Sequence, residues 1–188
     1  AILEIPARFG EPDRAFGEAE AFLAGGPPAD LGVFPETALT GYVSPDGDFD
    51  LARFAEPLDG PTVDRVRELA RTRSTTIAAP LVERSDERLF NAFVVIGPGG
   101  ELLAHYRKLH PWYPETWATP GDRPRPSFEV AGVRFTIAIC FDIHFLEAES
   151  ADELGAADAL LFPSAWVDDG AEDARAALLG GIARRHGL

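Results

Sequence analysis

Apolar residues recur along the chain in two rhythms, short unbroken or alternating runs and runs spaced near 3.6 residues. Their succession predicts interleaved strands and helices. Ile2–Ala7 reads as a short apolar strand. Asp13–Leu23 carries Ala15, Phe16, Ala19, Phe22 and Leu23 at helical spacing and is stopped by Gly25-Gly26-Pro27-Pro28. Leu31–Phe34 is a buried strand, and Gly41–Gly60 is irregular, punctuated by Pro45-Asp46-Gly47. Pro61 opens a helix whose apolar face is Val63, Val66, Leu69 and Ala70. Thr76–Glu83, Leu89–Gly97 and Glu101–Arg107 read as three strands, the last two joined by a hairpin at Pro98-Gly99-Gly100. Pro111–Pro126 is long, aromatic and proline-rich, more than a connector needs. Ser127–Val130 and Val133–Ile139 form a second hairpin around Ala131-Gly132. Leu146–Leu154 is a helix, Ala159–Phe162 a buried strand and Glu172–Arg185 a final helix. The alternation predicts a mixed α/β sandwich with residues 1–188 as a single domain. Because the last helix stops where such a chain would enter another strand, the expectation is a fold that continues past Leu188, leaving a sheet edge or apolar face exposed.

Composition narrows the function classes. The 188 residues are 46% hydrophobic and 26% charged, values of an ordinary globular domain. A formal net charge of −14 argues against nucleic acid and against an anionic membrane surface. No apolar run approaches a membrane span, and Ala1–Ile5 turns polar too early for a signal peptide. One cysteine excludes an internal disulfide and a multi-cysteine zinc site, and it fits a reducing, cytoplasmic setting. The four histidines show no metal-ligand spacing, and the acidic stretches Glu147–Glu153 and Asp168–Asp173 read as solvated faces.

Candidate chemistry enters through two unique residues. Lys108 is the only lysine among sixteen arginines, and Cys140 is the only cysteine. A position that keeps an ammonium where the rest of the chain uses guanidinium needs a compact, titratable amine. The competing reading is compositional, an arginine-rich sequence with one inert buried thiol. Position decides between the two. Lys108 follows the strand that ends at Arg107, Cys140 ends the run Val133–Cys140, and Glu36 stands after the strand at Leu31–Phe34. Strand C-terminal ends are where open α/β sheets place ligands. A carboxylate can take a thiol's proton, and an ammonium can stabilise both the thiolate and the oxyanion formed on attack at a carbonyl. A Cys–His arrangement of Cys140, His144 and Asp142 is an alternative, but it leaves Glu36 and Lys108 without a role.

Three ordered segments resemble the motifs of the nitrilase superfamily, the carbon–nitrogen hydrolases. They are Val33-Phe-Pro-Glu-Thr-Ala-Leu-Thr-Gly-Tyr42, Tyr106-Arg-Lys-Leu-His110, and Ala138-Ile-Cys-Phe-Asp142 followed by Leu161-Phe-Pro-Ser-Ala-Trp166. The intervening Phe90–Gly100 also matches. The resemblance implies an αββα sandwich with Glu36 as general base, Lys108 as oxyanion stabiliser and Cys140 as nucleophile. It implies that Phe141 gives a backbone N–H to the oxyanion hole, and that Glu115 positions the lysine and the hydrolytic water. Tyr42, Trp112 and Trp166 would line the substrate pocket or, equally, be core aromatics. The stretch Lys108–Trp112 is most similar to aliphatic amidases and formamidases. The implied activity is hydrolysis of a non-peptide C–N bond in a small amide or carbamoyl compound through a thioester, with no metal or organic cofactor, in a homo-oligomer. Nitrile hydrolysis, an ammonia-releasing domain of a larger synthetase and a non-catalytic binding relative are the alternatives. The sequence departs from the family at Phe145-Leu146-Glu147 and Ser150, where the family commonly has Phe-Pro-Glu and, three residues on, arginine. That departure removes a structural ion pair.

Overall fold

The computed structural model describes residues 1–166, 170 and 172–188. The acidic cluster expected at Asp168–Asp173 therefore lies partly outside the described residues. Helix α1 (Pro12–Gly25) and helix α2 (Pro61–Arg73) both begin on proline, whose missing N–H costs nothing in a first turn. Between and after them run strands β1 (Leu31–Val33), β2 (Thr76–Ser85), β3 (Arg88–Ile96) and β4 (Leu102–Arg107). They form one sheet in the order β1-β2-β3-β4, with β1 and β2 parallel and the other pairs antiparallel. Strands β5 (Ser127–Val130), β6 (Val133–Ile137) and β7 (Ala159–Leu161) form a second sheet in that order, with β6 and β7 parallel. Helices α3 (Leu146–Glu149), α4 (Ala151–Ala156) and α5 (Glu172–His186) complete the described α-helices.

Three apolar clusters define four layers. Phe16, Ala19, Val63 and Val66 of α1 and α2 pack with Ile77, Ala79, Val94 and Ile96 on one face of the first sheet. The opposite face of that sheet, through Ala78, Phe93, Val95 and Tyr106, meets Phe128, Val130, Ile137 and Leu161 of the second. Ala138, Ile143, Leu146, Leu154 and Ile182 cover the far side of the second sheet. Helix–sheet–sheet–helix is thus the order of layers, as the motifs implied.

Local departures from the sequence reading have simple causes. Ile2–Ala7 is extended, burying Leu3 and Ile5, but pairs only at Ile2 with Val33, so it makes one bridge and not a strand. Pro6 has no N–H to continue a ladder. Leu146–Leu154 is two short helices that part at Ser150, whose buried hydroxyl accepts a hydrogen bond from Arg125 Nε at 3.0 Å. Strand β6 stops at Ile137, two residues earlier than the apolar run, because the Ile139 N–H turns to Asp142 Oδ2 at 2.9 Å. The acidic faces are not merely solvated: Glu147 pairs with Arg185 at 2.6 Å and Glu149 with His110 at 2.7 Å.

Candidate active site

Topology brings the sequence candidates to one edge. Because β1, β2 and β4 run the same way, Glu36 beyond β1 and Lys108 beyond β4 emerge at the same end of the sheet, beside the start of antiparallel β3. Lys108 is held there by its own backbone, whose N–H donates to Asn91 O on β3 at 2.8 Å. The Pro111–Pro126 segment folds back over this end: Gly121 N–H bonds Lys108 O at 2.8 Å, and the two chains approach so closely that a Cβ on Gly121 would lie 2.3 Å from Arg107 O. That return carries Glu115 inward.

The result is a dry, charged cluster. Lys108 Nζ lies 2.8 Å from Glu36 Oε1 and 2.7 Å from Glu115 Oε2, with all three side chains fully buried. Asn91 Nδ2 bridges the two carboxylates, donating to Glu36 Oε1 at 2.9 Å and Glu115 Oε1 at 2.6 Å. Glu36 Oε2 accepts the Ala165 N–H at 2.9 Å, and Glu115 Oε2 accepts the Trp112 N–H at 2.6 Å. Burial alone would lower the Lys108 pKa, but Glu36, Glu115 and Cys140 outweigh it and hold the amine as ammonium. Burial raises the Glu115 carboxyl; Lys108 opposes that rise and Glu36 adds to it.

Cys140 comes from the second sheet. Its backbone sits at φ +44°, a left-handed conformation that costs a non-glycine residue roughly 1–2 kcal/mol. A 3₁₀ turn, Cys140–His144, begins there. The Cys140 N–H bonds Pro163 O at 3.0 Å, anchoring the turn to the segment after β7. Burial, reinforced by Glu36, pushes the Cys140 thiol up to about 12, while Lys108 and Ser164 pull it down. At rest the sulfur therefore keeps its proton.

The thiol opens on a cavity of about 210 Å³ walled by Tyr42, Trp112, Phe141, His144 and Trp166. The three pocket candidates from the sequence, Tyr42, Trp112 and Trp166, thus line the same space as Cys140, together with Phe141. Tyr42 stacks on Trp112 at 6.3 Å, and Phe49 meets both rings edge-on at 5.4 and 5.6 Å. His144 lies against Phe141 and Trp166 on the pocket wall.

Sequence reasoning did not single out Asn91 or Arg125 as parts of this site, and it weighed Asp142 only in the Cys–His alternative. Asn91 had a signal: it is the one polar residue inside the apolar run Leu89–Ile96. Asp142 is fully buried and accepts the N–H groups of Ile139 and His110 at 2.9 Å and the Tyr106 hydroxyl at 2.7 Å. Arg125 Nη1 reaches its Oδ2 at 3.3 Å and also bonds the Tyr106 hydroxyl. Arg125 and Asp142 thus form a buried ion pair, and Ser150, which stands where an arginine was expected, accepts from the same guanidinium. Among the described residues, no group of histidine, cysteine and carboxylate side chains could hold a metal ion, and no helix is long and apolar enough to cross a membrane.

A four-layer α/β sandwich with a buried Glu–Lys–Glu cluster facing a single thiol is a narrow class of architecture. The chain belongs to the carbon–nitrogen hydrolase family, whose model matches residues 11–180. It is 39% identical to an (R)-stereoselective amidase from Pseudomonas sp. over 68% of this chain and 45% of the relative. It is 30% identical to a nitrilase from Pyrococcus abyssi over 89% of this chain and 64% of the relative. The crystal structure of an amidase from Nesterenkonia sp. superposes with a TM-score of 0.82 and 24% identity, covering 100% of this chain and 72% of that one, a likeness of fold. The chain spans about half to two thirds of the length of these curated relatives.

Proposed function

We propose that the chain carries, in one domain, the catalytic groups of a cysteine-dependent amidase that cleaves a non-peptide C–N bond in a small amide or carbamoyl compound. The observation that carries this reading is Lys108 Nζ held between Glu36 and Glu115 at 2.8 and 2.7 Å beside the lone thiol. Glu36 takes the Cys140 proton as the sulfur attacks the carbonyl carbon, so the thiolate forms only when it is consumed. The C=O electron pair moves to oxygen, where the Lys108 ammonium and the Phe141 backbone N–H stabilise the negative charge. Collapse expels ammonia or an amine, which receives the proton held on Glu36, and leaves a thioester on Cys140. Water attacks the thioester after giving a proton to a glutamate, restoring the thiol and releasing the acid. Glu115 holds the ammonium in place through both halves. No step calls for a metal or organic cofactor.

The pocket supports a small, uncharged acyl group. The described walls are mostly aromatic, with His144, Ala165 and Cys140 between the rings, and about 210 Å³ suits a small acyl compound. Relatives include an amidase and a nitrilase, so nitriles belong in the same substrate panel. The test is mass spectrometry of the protein mixed with small amides. An acyl adduct on Cys140 and loss of hydrolysis in Cys140→Ala are expected; unchanged hydrolysis by that variant overturns the reading.

A further inference from the structure

The Ser164 hydroxyl is buried and, among the described residues, makes no hydrogen bond. A buried hydroxyl without a partner costs stability, so its retention calls for a physical account. Its neighbours in sequence are both engaged with the site. The Pro163 carbonyl accepts the Cys140 N–H at 3.0 Å, and the Ala165 N–H donates to Glu36 Oε2 at 2.9 Å. Residue 164 is thereby pinned on one side to the nucleophile's backbone and on the other to the carboxylate facing it. Its side chain acts on the Cys140 sulfur, opposing the upward push of burial.

We infer that Ser164 Oγ is a donor reserved for the Cys140 sulfur in its ionised form. A thiol sulfur is a weak acceptor, which leaves the hydroxyl at most weakly held at rest, whereas a thiolate is a strong one. When the Cys140 S–H bond breaks, the proton passes to a Glu36 oxygen and the electron pair stays on sulfur. The Ser164 proton stays on its own oxygen and turns toward that pair. The bond weakens again as sulfur shares the pair with carbon, so the hydroxyl favours the charged sulfur over both thiol and thioester. This rests on Cys140 being the nucleophile of the proposed amidase, but its readout does not require hydrolysis.

The experiment is the rate of Cys140 alkylation by iodoacetamide, followed by mass spectrometry from pH 7 to 9, where rate tracks the thiolate fraction. Ser164→Ala should alkylate about ten-fold more slowly than the parent across this range, the scale of a lost hydrogen bond to a charged group. Ser164→Thr, which keeps a hydroxyl, should return to within about three-fold. Equal rates for the parent and Ser164→Ala overturn the inference. Equal slowing by alanine and threonine also overturns it, because shape and not the hydroxyl would then be responsible. If alkylation responds as stated while Cys140→Ala still hydrolyses amides, the amidase reading fails and the hydroxyl–thiolate bond stands.

Discussion

Lys108 illustrates what a single residue discloses and what it hides. Its uniqueness and its place after a strand were visible in sequence; the two carboxylates that hold it come from positions 36 and 115, and only folding brings them within 2.8 Å. A guanidinium is wider than an ammonium and cannot occupy the same point between two fixed oxygens. Under the proposed mechanism, Lys108→Arg is therefore expected to lower kcat by about 10²-fold or more, the scale of a lost oxyanion donor, as read by steady-state kinetics. Asn91 was hidden for a different reason. In an apolar run one amide looks like an imperfection of a strand, yet it donates to both Glu36 and Glu115. Hydrogen bonds to a carboxylate favour its charged form, so Asn91→Ala should raise the Glu115 pKa further. The expected outcome is an acid limb of kcat/KM displaced upward by about one pH unit, with a stability loss of about 1–3 kcal/mol from the two acceptors left short. An unmoved acid limb would sink the assignment.

Elements were legible where periodicity was strong and local, and blurred where a distant partner decided them. Helices α1 and α2 and strands β2 to β5 fall close to their sequence limits because proline, glycine and apolar spacing act within a few residues. The Leu146–Leu154 segment reads as one helix and folds as two because Ser150 turns to a guanidinium 25 residues away. The β5–β6 turn was placed correctly, but its strain was not visible: Ala131 and Gly132 sit at φ +51° and +80°, the pattern of a type I′ hairpin. Ala131→Gly should relieve a left-handed alanine and stabilise the protein by about 0.5–1 kcal/mol, measurable by urea unfolding. A cross-strand network yields a pH prediction. Glu83 on β2 accepts Arg107 Nη2 at 2.6 Å and pairs with His105 at 2.7 Å, both on β4, reaching past Phe90 of β3. Burial would raise its carboxyl, but the bonds from His105 and Arg107 outweigh burial and hold it at about 2, against 4.5 for a free glutamate. Between those values the unfolded chain binds the proton that folded Glu83 refuses, so stability falls as pH falls through that window. Glu83→Gln should flatten this acid limb in urea titrations at pH 5, 4 and 3, while costing on the order of 3 kcal/mol at neutral pH. Parallel limbs for the two proteins would refute it.

At the scale of the molecule, the site exists because two sheets are held in one relative position. Glu36, Lys108 and Asn91 belong to the first sheet, Cys140 to the second, and the apolar contact between Phe93, Tyr106, Ile137 and Leu161 sets the spacing without specifying angle. Orientation comes from the buried polar group at the seam. Asp142 accepts from Tyr106 on β4, from His110 just beyond Lys108, and from Ile139 beside Cys140, so one carboxylate ties the lysine strand to the cysteine turn. This was the least legible feature in sequence, since the guanidinium beside Asp142 arrives from Arg125, on the return of the proline-rich segment. Removing Arg125 alone strands a fully buried carboxylate, so Arg125→Met should cost about 3–5 kcal/mol. Removing both charges, in Arg125→Met/Asp142→Asn, should recover a large part of that loss, because an asparagine can still accept from Tyr106 and the backbone. Catalysis should not recover in parallel. The doubly substituted protein loses the charge that draws three N–H and O–H donors to one point, and kcat should stay at least about ten-fold down while KM changes little. A double-mutant cycle in urea, run beside steady-state kinetics on the same four proteins, separates the two. If stability and kcat recover together, the pair serves the fold alone, and the alignment of Cys140 with Lys108 must come from the apolar seam.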